Sequence, residues 1–378
     1  MKRLFSFILC FVMLFLLTSC GIFEQMQHSE EEELIKDEPF DNICNLIGHE
    51  WNNGEVTKVP TVHEHGIITY TCRVCSEIKE EIFNTEFINR LTYLVDAQAT
   101  NEVVIIDGIK YYYGQNLVND LTDAISNSLD GAVILVKEGE YELTEYINHN
   151  VTIKGAGAAA TIIKLAKDVQ TLSGAEKVAF EGVTLYGNGG GADDPGAYFN
   201  LSPDSATEIS FKDCIVKAMN TFIKVNNGSQ KITIEGCEFY NMGQFTVWTL
   251  KGTPEITVKD SYLDAIECGL VNNATASMFR IRSGSATFTG CTFKGTLPAT
   301  SGGLFEAGTA ICTGITVDKC IFVNATKVVK LNSVPAALTF VENYFVDAEG
   351  NYLTDVPEYI TGAGVTPGVA LVKFNEAN

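Results

Sequence analysis

Phe180-Glu181-Gly182-Val183-Thr184-Leu185, Phe211-Lys212-Asp213-Cys214-Ile215-Val216 and Ile234-Glu235-Gly236-Cys237-Glu238-Phe239 follow one six-residue pattern: apolar, polar, small or charged, small, any, apolar. It returns as Val258-Lys259-Asp260-Ser261-Tyr262-Leu263, Phe288-Thr289-Gly290-Cys291-Thr292-Phe293, Val317-Asp318-Lys319-Cys320-Ile321-Phe322 and Phe340-Val341-Glu342-Asn343-Tyr344-Phe345. Successive copies start 31, 23, 24, 30, 29 and 23 residues apart. A repeat of this length carrying strand periodicity specifies a solenoid. The shortest spacing corresponds to one bare coil, and the longer ones add loops. One coil cannot bury its apolar face alone. Stacking sets each Phe or Ile on the next coil, about 4.8 Å away, and makes one continuous core.

Aligned, the copies give columns with physical content. The fourth position reads Val183, Cys214, Cys237, Ser261, Cys291, Cys320, Asn343, small side chains where the chain turns tightly. Cys214/Cys237 and Cys291/Cys320 fall on adjacent coils, but in-register side chains point in parallel, poor geometry for a bridge, so a stack of buried thiols is expected. In the second position Glu181, Lys212, Glu235 and Lys259 alternate in sign. Opposite charges on adjacent strands contribute a few tenths to 1 kcal/mol each, which reads as a solvated face.

Upstream, residues 117–129 place apolar side chains at 117, 118, 121, 125 and 129, one face of a helix ended by Asp130-Gly131. Val133-Ile134-Leu135-Val136 and Glu138-Gly139-Glu140-Tyr141 follow, then Val151–Gly157 and Thr161-Ile162-Ile163. This order resembles the opening of right-handed parallel β-helix proteins of the pectin-lyase type, and the resemblance covers about residues 117–350. It implies an all-β, single-stranded, right-handed parallel β-helix, with a helical cap before it and a cap over 346–378. Proteins of this kind act on or bind acidic polysaccharides. Three functions follow as expectations: a non-catalytic glycan or macromolecule binder, a polysaccharide lyase or glycoside hydrolase, and a structural stalk.

The N-terminus reads as an export signal. Lys2 and Arg3 precede an apolar run from Leu4 to Leu17, too short to span a bilayer, which takes about 20 residues. The run ends in Leu17-Thr18-Ser19-Cys20, which resembles the lipobox of bacterial lipoproteins. The resemblance implies removal of residues 1–19, acylation of Cys20 and anchoring in a bacterial membrane at the cell surface, each buried methylene adding about 0.8 kcal/mol. Residues 20–43, with Glu30-Glu31-Glu32-Glu33, are acidic and without periodicity, as in a solvated tether. Without Lys2 and Arg3 the chain keeps 24 basic against 47 acidic side chains, a net charge of −23. That argues against nucleic acid as a partner, and against a long polyanionic sugar held by charge alone.

Residues 44–82 form a distinct module, joined to the repeats by 83–116. It holds Cys44, His49, Trp51 and Cys72-Arg73-Val74-Cys75. Ile68, Tyr70 and Cys72 alternate as a strand entering a knuckle. Cys-x-x-Cys brings two thiolates to one tetrahedral ion, and Cys44 and His49 could complete the set. His49-Glu50-Trp51, Val56-Thr57-Lys58-Val59-Pro60-Thr61 and Tyr70-Thr71-Cys72-Arg73-Val74-Cys75 resemble the zinc-ribbon-like repeats of bacterial surface proteins, implying structural Zn²⁺. Those repeats often carry a cysteine where this chain has Val62-His63, so His63 or His65 could stand in for His49. A Cys72–Cys75 or Cys44–Cys75 disulfide is the alternative, since export favours oxidation.

Candidate chemistry in the repeats is sparse. A lyase needs an Arg or Lys base and often Ca²⁺ to neutralise a uronate carboxylate. The repeats hold two arginines, Arg280 and Arg282, which alternation puts on one strand face, opposite the apolar one, where they could meet a sugar carboxylate or pair with nearby acids. Asp193-Asp194 could hold Ca²⁺, though an isolated pair in the Gly187–Gly196 stretch reads as a plain loop. All five histidines precede the repeats, which argues against a Ser-His-Asp arrangement, and His149 reads as a turn residue. Trp248, Tyr240 and Phe245 form an aromatic group in one coil; Trp248 and Tyr240 could stack on a sugar ring, while Phe245 reads as core, as could Trp248.

Overall fold

A computed structural model describes residues 44, 47–60, 64–83, 89–166, 172, 174–187, 197–205, 207–264, 277–295, 304–325, 328–331, 337–353, 360–362 and 372–373. The signal segment, Cys20, the acidic tether, His63 and Asp193-Asp194 lie outside the described residues.

The repeats wind as a parallel β-helix with three strands per coil. In one coil the first strand is Glu208–Lys212, and Ile215–Val225 then supplies the second and third strands, joined at a corner. The next coil repeats this with Lys231–Glu235 and Glu238–Thr249. Each strand pairs in parallel with its counterpart one coil on: Phe211 with Ile234, Val216 with Phe239, Ile223 with Val247. First strands show the burial order exposed, buried, half-buried, buried, exposed. The apolar columns therefore point in, and they form one core running from Tyr93 to Phe345. Aromatic rings continue it from coil to coil: Phe180 on Phe211 at 5.5 Å, Phe293 on Phe322 at 5.2 Å and Phe322 on Phe345 at 4.7 Å, all stacked.

The third position of the six-residue pattern makes the corner between the first and second strands. Gly182, Asp213, Gly236, Asp260, Gly290, Lys319 and Glu342 all have φ between 47° and 66°, the left-handed region. Gly and Asp are the residues that tolerate it best, which explains "small or charged" there. A Cβ on Gly236 would also lie 2.5 Å from Asp213 Oδ1. The next residue turns inward: the side chains of Cys214, Cys237, Ser261, Cys291, Cys320 and Asn343 are buried, and the four thiols are free. Cys214 and Cys237 donate to the carbonyls of Phe180 and Phe211 one coil earlier, both at 3.5 Å, while Asn343 donates to Val317 O at 2.9 Å. The second corner is also left-handed, at Ala218, Asn241 and Asn324.

The long repeats take their extra residues at that second corner. The gap between second and third strands is long after Tyr186, Asp264 and Lys294, where the third strand resumes at Ala197, Phe279 and Phe305.

Three expectations about the ends change. The helix is Leu121–Asn127 rather than 117–129: Leu117–Val118 pair as a strand with Leu94–Val95, and the Asp120 side chain caps the helix by accepting from Asp123 N. Segment 83–116, expected only to connect, contributes Thr92–Val95 to the helix sheet beside Ala132–Val136, plus an antiparallel hairpin, Val103–Ile106 with Ile109–Tyr112. At the C-terminal end Ile360–Gly362 and Val372–Lys373 pair onto Val329–Leu331 and Phe340–Val341, so strand pairing continues through the segment expected as a cap.

Upstream, Glu55–Lys58, Gly66–Thr71 and Ile78–Phe83 form an antiparallel sheet. It packs on the hairpin through Val56, Ile68 and Val103, with Phe83 stacked on Tyr112 at 5.1 Å.

Phe211→Ala should cost about 3–5 kcal/mol by removing a ring packed on two coils, while Lys212→Ala, one residue on and exposed, should stay within about 0.5 kcal/mol. Urea unfolding followed by circular dichroism checks the contrast; equal shifts would mean that the coil-on-coil core is not the source of stability.

Candidate metal centre and candidate ligand-binding faces

Cys44, His49, Cys72 and Cys75 offer one ligand atom each, and these four atoms lie within 4.8 Å of one another. His49 Nδ1 is 3.3 Å from Cys75 Sγ, whose thiol is free in this structure. Arg73 N donates to Glu50 O at 2.8 Å, holding the start of the knuckle. His65 is exposed and outside the set. Three soft sulfurs and an imidazole, with Cys44 and Cys72 buried, make a donor set that could bind a metal ion.

The two arginines and the tryptophan meet on the third strands. Lys224, Trp248, Arg280 and Glu306 are in register on four successive coils. Phe279 and Ile281, flanking Arg280, are core, so Arg280 and Arg282 share the opposite face as alternation requires. Arg280, however, is buried (7 % exposed). Its Nε donates to Glu306 Oε2 at 2.9 Å, Nη2 approaches the same oxygen at 2.9 Å, and Ser277 Oγ donates to it at 3.2 Å. The guanidinium lies over the rings of Phe245 and Trp248, 4.5 and 5.8 Å from their centroids. Burial pushes the Arg280 pKa down, with Glu306 opposing and Arg282 adding to the shift. Arg282 is half-buried, 4.0 Å from Glu306 Oε1 and 6.0 Å from the Trp248 centroid. Lys224 Nζ lies 5.0 Å over the same ring. Three cations thus surround one half-buried indole, whose Nε1 is buried with no hydrogen-bond partner among the described residues. Phe245 is buried, as expected of a core ring.

Tyr240 is elsewhere, on the second strands. Its hydroxyl donates to Glu238 at 2.6 Å, and this bond, with partial burial, pushes the phenol pKa up to about 12. The ring lies 5.7 Å from Tyr262, whose hydroxyl donates to Asp264 at 3.2 Å. Tyr186 lies two coils before Tyr240 in the same column, with Lys217 between them. Lys217 Nζ is 5.9 Å from the Tyr186 ring centre. This makes a tyrosine-lined strip.

Sequence reasoning found Arg280, Arg282 and Trp248 but missed Glu306 and Lys224. Third strands lack the six-residue pattern, and the spacings Lys224–Trp248, Trp248–Arg280 and Arg280–Glu306 are 24, 32 and 26 residues. A register shift between Met219 and Thr221 adds to the irregularity. The sole legible signal was an acid, Glu306, inside an otherwise apolar and small stretch.

Residues 196–365 match a family model described as a right handed beta helix region. Among solved structures, the catalytic unit of the thermostable GH87 alpha-1,3-glucanase from Streptomyces thermodiastaticus strain HF3-3 is similar with a TM-score of 0.34 and 14% identity, over 64% of each chain; the present chain thus spans less than two thirds of that protein's length. Pectin methylesterase PemA from Erwinia chrysanthemi gives 0.30 and 14%, over 72% of this chain and 90% of that one. The pectin methylesterase from Aspergillus niger gives 0.33 and 16%, over 69% and 92%. No curated protein matches the chain.

Glu306→Gln should destabilise the protein by about 3 kcal/mol or more, because it leaves Arg280 buried without its counter-charge, whereas Arg282→Ala should cost under about 1 kcal/mol. Denaturation midpoints of the two variants decide it; equal midpoints would show the buried pair to be unimportant to folding.

Proposed function

We propose that this chain is an exported, lipid-anchored surface protein that binds glycan through its β-helix without catalysis. The observation carrying this reading is Trp248, an indole ringed by Lys224, Arg280 and Arg282 in a chain of net charge −21. An aromatic face suits a sugar ring, and the half-buried cations suit an acidic substituent on it. The ligand class is a glycan carrying scattered acidic groups, since the acidic bulk of the chain disfavours a dense polyanion. The Tyr186, Tyr240 and Tyr262 strip extends the contact to further sugar units.

Binding is favoured over reaction for two reasons. The deeper arginine is committed to Glu306 and stacked on two rings, whereas a lyase base must reach a substrate proton. A glycosidase normally works with two carboxylates about 5–9.5 Å apart, and the acid described on this column, Glu306, is already held by Arg280 and Ser277. The export signal resembling a lipobox at Cys20 supports display at a bacterial surface, and Cys20→Ala should abolish incorporation of labelled palmitate.

The test is co-sedimentation with uronate-containing and neutral polysaccharides, run beside ultraviolet detection of unsaturated ends and a reducing-sugar assay, each with and without Ca²⁺. Retention that falls at least about tenfold in Trp248→Ala and in Arg282→Ala, with no product, supports the proposal. Product that vanishes with Arg282→Ala would make the protein a lyase or hydrolase; no retention on any polymer would leave a structural stalk.

For the N-terminal module we propose structural Zn²⁺ on Cys44, His49, Cys72 and Cys75, a closed Cys₃His set. Elemental analysis should find close to one zinc per chain, lost in Cys75→Ser. Metal-free protein with a Cys72–Cys75 disulfide, seen by mass spectrometry, would sink this assignment.

A further inference from the structure

The first strands present an outward face of three columns. On four successive coils the strand ends are charged: Lys177 and Glu181, Glu208 and Lys212, Lys231 and Glu235, Glu255 and Lys259, paired rung to rung. All are exposed except Glu181, which is half-buried. Between the two charged columns runs a row of small side chains, Ala179, Ser210, Thr233 and Thr257, continued by Thr287, Thr316 and Thr339. Opposite charges on neighbouring coils account for the alternation down each column. They do not account for the phase between columns. The two ends of every strand bear opposite signs, and stacking within one chain would be served equally by strands with like ends. Lys154 and Glu181 approach to 3.7 Å, but among the described residues the six charges from Glu208 to Lys259 close no ion pair with one another.

The phase has a geometric consequence. A half-turn about an axis along the hydroxyl row exchanges the columns within each coil. Every Lys of one copy then faces a Glu of the other: Lys177 the partner's Glu181, Glu208 the partner's Lys212, Lys231 the partner's Glu235, Glu255 the partner's Lys259. We propose that this face docks a second copy of the same chain, coils side by side, with the two-fold axis along the Thr233 row. Seven rungs at about 4.8 Å and a width of about 13 Å give roughly 450 Å² per copy, below the ~800 Å² of a standard interface. The dimer is therefore weak, and complementary charge sets its alignment more than its strength. The Trp248 column and the Tyr240 strip lie on other sheets and stay open in it, so this inference stands independently of glycan binding.

Full-length chain carrying Thr233→Cys, purified in mild detergent, is oxidised and run on a non-reducing gel. On the axis, residue 233 meets its own copy, so a covalent dimer is expected; Thr292→Cys, on a second strand, should give none. The variant K177E/E208K/K231E/E255K in the Thr233→Cys background inverts one column. It preserves net charge and the alternation down that column, so circular dichroism and Tm should match the parent, but each coil now has like ends. Cross-linking should fall at least about tenfold. Inverting the other column as well, with E181K/K212E/E235K/K259E and K154E to keep its pair, should restore it. Should the inverted variants misfold, the parent supplies the answer: its cross-linking must fall between low salt and about 1 M salt, where surface charges are screened. No dimer from Thr233→Cys, a dimer untouched by inversion of one column, or one insensitive to salt would overturn the proposal.

Discussion

Parallel hydrogen bonding between a strand and its counterpart one coil away is the interaction on which the rest depends. No coil completes its own backbone bonding, and no coil buries its own apolar side chains; both are supplied by the neighbour. The register is held from coil to coil through the first strands, with Phe180, Phe211, Ile234, Val258, Phe288, Val317 and Phe340 in one inward line. Because strand side chains alternate, fixing that line also fixes what faces outward. The charged columns, the tyrosine strip and the Lys224–Glu306 column are all consequences of one inward register.

The parts of the fold legible in the sequence are those bound by the corner. A residue at φ near +55° followed by an inward small side chain leaves a signature that recurs whatever the rest of the coil does, and it exposed the solenoid. Asn343 and Ser261 at that inward position also show why it tolerates polar residues: both find backbone partners on adjacent coils. The third strands carry no such signature. They follow a corner of variable length, so only pairing in space reveals which residues share a column. That is why residue type alone marks Arg280 and Trp248 separately and leaves Glu306 unmarked. Arg280 also shows the limit of alternation: it gives the face of a side chain but not its depth, and stacking against Phe245 and Trp248 hides this one.

Depth changes what the arginine does. A guanidinium taken from water needs a partner, and Glu306 together with two aromatic faces supplies one. The arrangement places a fixed, internally compensated pair beneath the partly open Lys224 and Arg282. It packs the guanidinium against the Trp248 ring and leaves the surroundings of that ring positive. In the N-terminal module, donors from two short segments converge instead, the Cys72–Cys75 knuckle and the Cys44–His49 stretch.

Length variation in this chain is concentrated at the second corner of each coil, with shifts of one to three residues after the third strand. The coils beginning at Phe180, Val258, Phe288 and Phe340 admit extra residues there, and those beginning at Phe211, Ile234 and Val317 do not, yet the inward line is unbroken. Arg280 and Glu306 stand on the third strands resumed after two of those insertions. The fold thus separates where the chain takes up added residues from where it keeps its register. Segments lengthen chiefly at that corner while the stack keeps its register. Changes of length there leave the scaffold intact, as loops on a rigid framework do.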